Sequence, residues 1–119
     1  MSRGEAAREA WSLAFQLGMK NRRRMMAACE QLGISPMQGH ALHLLDEKGP
    51  LSMSEVAEHL GCDASNVTGI VDRLEARGFV ERRPHERDRR VKLLAITPAG
   101  HEVHELFHER MREPPQELL

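Results

Sequence analysis

Two short helical segments in the middle of this chain are separated by only three residues, and few folds accommodate that spacing. "SMSE" at 52–55 reads as a capping box: Ser52 answers free N–H groups of the first turn and Glu55 reaches back to it. A short helix follows through Val56, Ala57 and Leu60, and Gly61 stops it. Asp63 then caps a second helix with Val67, Ile70, Val71 and Leu74 at i, i+3, i+4 and i+7, closed by Gly78. Only Gly61, Cys62 and Asp63 lie between the two. Two short helices joined by a three-residue turn with Gly predict a helix-turn-helix.

The flanking segments are punctuated as clearly. Residues 4–32 read as one long helix with Ala6, Ala10, Leu13, Ala14 and Leu17 on one face, Trp11 and Phe15 close by, and Gly33 as its stop. "SPMQ" at 35–38 starts another: Ser35 caps, Pro36 suits the first helical position and Gln38 completes a capping box. Met37, Ala41, Leu44 and Leu45 then recur at helical spacing until Gly49-Pro50. After Gly78 the period changes. "FVERR" (79–83) and "VKLLAI" (91–96) read as strands, with Val91 and Leu93 packing inward, and the polar "PHERDRR" between them is the loop of a hairpin. "TPAG" at 97–100 opens a last helix with Thr97 as cap and Ala99, Val103, Leu106, Phe107 and Met111 as its apolar face, broken at Pro114-Pro115. With one Trp, three Phe and no Tyr, the core must be aliphatic, which suits helices. The expected fold class is mostly α with a small β-hairpin wing, a winged helix-turn-helix in the order α-α-α-α-β-β-α, with residues 1–119 forming a single domain.

Charge points to what such a fold would meet. The formal net charge is only −1, yet Arg82, Arg83, Arg87, Arg89, Arg90 and Lys92 face only Glu86 and Asp88 in the same short stretch, a local +4. A basic hairpin directly after a helix-turn-helix has the placement of a wing, whose tip can follow a DNA backbone and set an Arg into the minor groove. The second helix of the pair is the one that enters the major groove. Its outward residues are Ser65, Asn66, Thr68, Gly69, Asp72 and Arg73. Ser, Thr and Asn exchange hydrogen bonds with base edges, and Arg binds guanine or phosphate. The plainer reading of the same residues is caps and solvated surface, as it is for "NRRR" at 21–24. There is no phosphate loop, nucleophile elbow or HExxH, so an enzyme is not expected, nor a cofactor. No apolar run approaches a membrane span, and "MSRGEAAREAW" lacks the apolar core of a signal peptide. Two cysteines are too few for a secreted disulfide scaffold, so a cytoplasmic protein is the default.

Residues 51–100, "LSMSEVAEHLGCDASNVTGIVDRLEARGFVERRPHERDRRVKLLAITPAG", resemble the winged-helix core of the MarR (multiple antibiotic resistance regulator) family. The pieces that carry the resemblance are "DASNVTGIVDRLEARGFVERR", "DRR" and "LAITPAG". The likeness runs from about residue 34 to 110. It implies a homodimeric regulator of transcription, usually a repressor, on a pseudo-palindromic operator, released by a small-molecule effector. It implies a DNA-binding core at 34–97, with helices at 1–33 and 98–119 for dimerisation. The family's Asp-x-Arg of the wing falls on Asp88 and Arg90: Arg90 would reach the minor groove, oriented by Asp88, with Arg87 and Arg89 on phosphates. Ser65, Asn66, Thr68 and Arg73 fall on recognition-helix positions, while Gly69 stands where many members carry a larger, often basic side chain. Ser52 and Ser54 fit phosphate contacts as well as caps. Members usually continue into a further long helix that completes the dimer. Here either the first helix and the 98–113 helix suffice, or the chain is shortened.

Three other readings stay open. His104 and His108 are i, i+4, His101 precedes them, and His40, His43 and Cys29 lie where the resemblance places the facing region, as in the zinc sensors of the family. Gly39 replaces a carboxylate expected beside His40, so the candidate set His40, His104 and His108 is incomplete. Cys29 is a candidate redox sensor, whereas Cys62 is expected to be buried and inert. A winged helix can also serve as a protein-interaction module, a reading that the local +4 opposes.

Overall fold

The computed structural model describes residues 2–114. The elements in order are α1 (Arg3–Leu32), α2 (Pro36–Lys48), β1 (Leu51–Ser52), α3 (Met53–Leu60), α4 (Ala64–Ala76), β2 (Val80–Pro84), β3 (Lys92–Ile96) and α5 (Pro98–Arg112). The starts of α2 to α5 are capped by the residues the sequence names for them, and Ser2, which it does not name, caps α1. Ser35 Oγ accepts from the Gln38 N–H at 3.1 Å while Gln38 Oε1 accepts from the Ser35 N–H at 3.1 Å, and Ser52 and Glu55 repeat the arrangement. Asp63 caps α4 and Thr97 caps α5. In the turn between α3 and α4, Gly61 takes φ 66°, a left-handed conformation in which a Cβ is strained, and this redirects the chain within three residues.

The core lies where α2, α3, α4 and the sheet meet. Leu42, Leu45, Val56, Val67, Val71, Leu74, Val80 and Leu94 are fully buried there. Burying each such side chain contributes roughly 1.5–3 kcal/mol, so this cluster dominates the driving force. The sheet has three antiparallel strands in the order β1-β3-β2. β1 is an element that the sequence does not reveal: two residues are too few for a period, and the strand exists because β3 offers Leu94 and Leu93 as partners to Leu51 and Ser52. β2 sits one residue later than expected and β3 starts one residue later while ending at Ile96 as expected, with Val80 opposite Ile96 and Pro84 opposite Lys92. Val91 is accordingly exposed in the loop, and the strand's fully buried residue is Leu94.

α1 is different. Residues 2–23 are exposed throughout, and only Ala28 and Cys29 of the helix are buried. A compact chain of this length would have a radius of gyration of about 13.5 Å. The observed value is 18.1 Å, with a longest extent of 64 Å. The C-terminal half of α1 is tied to the rest by arginines. Arg24, one of the "NRRR" run, donates to the carbonyls of Arg110 and Glu113 and so caps the end of α5. Arg77, beyond α4, donates to the carbonyls of Gly33 and Leu32 and stacks over Phe79 with 4.7 Å between guanidinium carbon and ring centre. No helix among the described residues is long and apolar enough to cross a membrane.

Candidate nucleic-acid interface

The sequence orients α4 through its apolar stripe. Val67, Val71 and Leu74 are buried against the core, which turns Ser65, Asn66, Thr68 and Arg73 outward, all of them exposed. Ser65 Oγ donates to Asp63 Oδ1 at 2.8 Å, and Thr68 Oγ1 donates to the Ala64 carbonyl at 2.9 Å. Both hydroxyls spend their hydrogen locally and keep lone pairs for donors outside the chain. The Asp63 carboxylate also accepts from the Asn66 N–H at 2.9 Å. That bond, with the one from Ser65, holds its carboxyl below the usual range. Gly69 leaves open space, since a Cβ built there would meet nothing within 4 Å. Beside it runs a groove of about 400 Å³ bounded by Ser35, Met37, Asn66 and Arg73. Cys62 borders the same groove and is half-buried rather than buried, its Sγ donating to the Leu60 carbonyl at 3.6 Å. Ser52 is engaged as the α3 cap and Ser54 is exposed in the first turn.

In the wing, backbone bonds from the His85 N–H to the Val91 carbonyl (2.9 Å) and from the Val91 N–H to the Asp88 carbonyl (3.0 Å) close the loop. Its tip is shaped by two side chains. His85 Nδ1 accepts from the N–H groups of Arg87 (3.0 Å) and Asp88 (3.4 Å). Asp88 Oδ1 accepts from the backbone N–H of Arg90 at 3.1 Å and from its Nε at 3.2 Å, leaving an Arg90 side chain that is 92% exposed. Arg87 and Arg89 are exposed beside it.

The arginines of this stretch divide into two groups. Arg82 pairs with Asp72 Oδ1 at 2.9 Å and with Glu75, and these partners, Asp72 first, push its pKa up. Arg83 Nε donates to Glu81 Oε1 at 2.6 Å. Arg82 therefore fastens β2 to α4 and leaves Asp72 compensated beside the outward face of α4. Further out, at the tip, Arg87, Arg89 and Arg90 stand exposed. The roles of His85 and Arg82 are not readable from spacing. The first depends on the loop closing, and the second on β2 crossing α4.

A second feature lies on the far side of α2. A cavity of about 360 Å³ is lined by Met25 and Cys29 of α1, Met37, His40 and His43 of α2, and Phe107 and His108 of α5. Cys29 is buried, and burial pushes its thiol pKa up, which suppresses the thiolate on which redox sensing depends. Of the candidate set His40, His104 and His108, the two α5 residues come together, but with His43 in place of His40. His40 is exposed and borders the cavity. His104 is buried on the face of α5 that the sequence assigns to apolar residues, while Leu106 of that expected face is exposed.

A recognition helix seated on two supporting helices and followed at once by an antiparallel hairpin with a cationic tip defines a winged helix-turn-helix protein. The profile of the MarR family matches residues 34–92. The HTH-type transcriptional regulator YcgE of Bacillus subtilis (strain 168) is 33% identical over 107 residues, covering 89% of this chain and 70% of that protein. The transcriptional repressor MprA of Escherichia coli (strain K12) is 38% identical over 86 residues, covering 71% of this chain but 47% of MprA. The crystal structure of YusO from Bacillus subtilis superposes with a TM-score of 0.83 at 28% identity, covering 94% of this chain and 79% of YusO. The chain belongs to the MarR family.

Proposed function

We propose that this protein is a sequence-specific DNA-binding transcriptional repressor that acts as a homodimer in the cytoplasm on a pseudo-palindromic operator. The observation that carries the reading is a division of charge. Asp72 and Glu75 of α4 are paired with Arg82, while Arg87, Arg89 and Arg90 stand exposed at the wing tip with Arg90 held by Asp88. Ser65, Asn66, Thr68 and Arg73 would read base edges and phosphates in the major groove, and Arg90 would enter the adjacent minor groove. Ser52 and Ser54 would meet the backbone at the start of α3. By the same reading residues 34–97 contact DNA and α1 with α5 joins the two copies; residues 1 and 115–119, assigned to the dimerisation segments by the resemblance, lie outside the described residues. The names of YcgE and MprA support regulation and repression in this family. The cavity between α1, α2 and α5 would take a small effector with an apolar body, since Met25, Met37, Pro36 and Phe107 line it together with three histidines.

The test is a binding titration on operator DNA selected from a random pool. Arg90→Ala should weaken specific binding about tenfold or more, the cost of losing one groove-reading arginine. Its thermal unfolding should stay unchanged, because the tip lies outside the core. An operator affinity within about twofold of the parent would remove the wing from the interface. Binding should also fall steeply with salt as phosphate counterions are released. A flat response would favour the protein-interaction module instead.

A further inference from the structure

Where α2 crosses α5, three imidazoles converge. His43 Nδ1 lies 2.9 Å from His104 Nε2 and 3.4 Å from His108 Nε2. The outer edges of two of these rings meet carboxylates: His104 Nδ1 is 3.4 Å from Asp46 Oδ2, and His43 Nε2 is 3.2 Å from Glu47 Oε2. His104 is buried, and its Nδ1 makes no well-formed hydrogen bond.

The proton count of this cluster does not close. A neutral imidazole carries one N–H and one lone pair. Carboxylates only accept, so they favour N–H on the outer nitrogens. The inner nitrogens of His43 and His104 then face each other with two lone pairs at hydrogen-bond distance. Moving the His104 proton inward makes the inner bond but turns a buried lone pair toward Asp46. Moving the His43 proton inward turns its lone pair toward Glu47. A cation where the rings converge satisfies every group at once. A proton can serve one inner contact at a time, whereas a metal ion takes the lone pairs of all three inner nitrogens.

We propose that His43, His104 and His108 form a binding site for a divalent transition-metal ion of the zinc class, with Asp46 and Glu47 orienting the ligating rings. Two ring nitrogens at about 2.0–2.1 Å from a tetrahedral zinc stand about 3.3–3.4 Å apart. The observed 2.9 and 3.4 Å therefore need shifts of only tenths of an ångström, and all three ligand atoms lie within 4.8 Å of one another. A carboxylate behind a ligating His fixes its tautomer and raises its basicity. Asp46 is itself anchored, since His101 Nδ1 lies 2.6 Å from its other oxygen. His43 and His108 also border the cavity described above, which has room for a fourth ligand such as water. Because α2 belongs to the winged helix and α5 to the helices beyond it, a bound ion would clamp one to the other. The site stands whether or not the DNA-binding reading holds.

The experiment is calorimetric titration of the full, chelator-treated chain with zinc chloride, alongside cobalt(II) absorption spectra and thermal unfolding with and without zinc. One equivalent should bind with a Kd below about 1 µM, and cobalt should give the visible bands of a low-coordinate nitrogen site. His108→Gln should weaken zinc at least tenfold and Asp46→Asn about tenfold, the usual span for an orienting carboxylate. His59→Gln, remote from the cluster, should change nothing. His104 is buried, so His104→Gln is informative only if its unfolding without metal matches the parent. His108→Gln carries the argument otherwise. No binding tighter than about 10 µM, or binding unaltered in His108→Gln, overturns the proposal, as does a cluster that responds to pH but not to zinc or cobalt.

Discussion

α4 and α1 use apolar residues in opposite ways. α4 has 13 residues and buries Val67, Val71 and Leu74 inside its own chain. α1 has 30 residues and buries only Ala28 and Cys29, leaving Trp11 74% and Phe15 62% exposed. Trp11, Phe15, Met19 and Met26 follow one another on one side of that helix, all exposed. The winged-helix portion is thus completed by the chain's own contacts. The N-terminal half of α1 keeps a stripe of a kind that soluble monomers rarely display. The difference teaches that the winged-helix portion is covered by the chain's own contacts, whereas the apolar stripe of α1 is not; in the proposed homodimer a second copy would cover it.

The sharpest way to break that contrast is to charge the stripe. Trp11→Glu combined with Phe15→Glu should weaken dimerisation by on the order of a hundredfold or more, because each large side chain contributes roughly 1.5–3 kcal/mol when buried. Sedimentation equilibrium reads this directly, and assembly unchanged from the parent would move the interface elsewhere. The self-covered portion should be broken by a single methyl. A Cβ on Gly100 would overlap the Phe79 carbonyl and crowd Ile96. Gly100→Ala should then cost about 3 kcal/mol in urea unfolding, the upper range for overpacking, since backbone cannot yield as a side chain does. A loss below about 0.5 kcal/mol would mean that α5 shifts freely against the sheet.

The same substitution on the outward face of α4 should act with the opposite sign. Gly69 has open space, so Gly69→Ala should stabilise the fold by about 0.5–1 kcal/mol through backbone entropy. Destabilisation in the same assay would show that the groove beside α4 is narrower than described. The smallest effect is electrostatic. Hydrogen bonds hold the Asp63 and Glu55 carboxyls below their usual range, led by the backbone N–H of Asn66 and the backbone N–H of Ser52 respectively. A folded pKa that is depressed stabilises above the unfolded value, about 4, and the gain is lost as pH falls through the folded value. Helicity should therefore decline in acid. Asp63→Asn, which keeps a cap but cannot titrate there, should flatten part of that decline in circular dichroism.

Much of this was legible because helix ends are local. Ser35, Ser52, Asp63 and Thr97 each act within three or four residues of themselves, so sequence spacing suffices to place them. The pairing of Asp88 with Arg90 is equally local, two residues apart. β1, by contrast, is created by its partner strand. Arg82 meets Asp72 and Glu75 only because β2 runs back along α4. The substitution of His43 for His40 beside His104 and His108 turns on which face of α2 meets α5, and three residues' difference is close to one helical turn.

The sequence by itself determined where helices begin and stop, the helix-turn-helix, the hairpin and the concentration of positive charge in it. These follow from capping, glycine turns and periodicity, which are properties of neighbours along the chain. Tertiary structure alone decided which charges remain outward, since Arg82 is occupied by α4 while the tip arginines stand exposed. It also decided that Cys29 is enclosed and that three histidines from two helices share one point. Those outcomes depend on distances between residues far apart in sequence, and only the packing of α2 and β2 against their neighbours sets them.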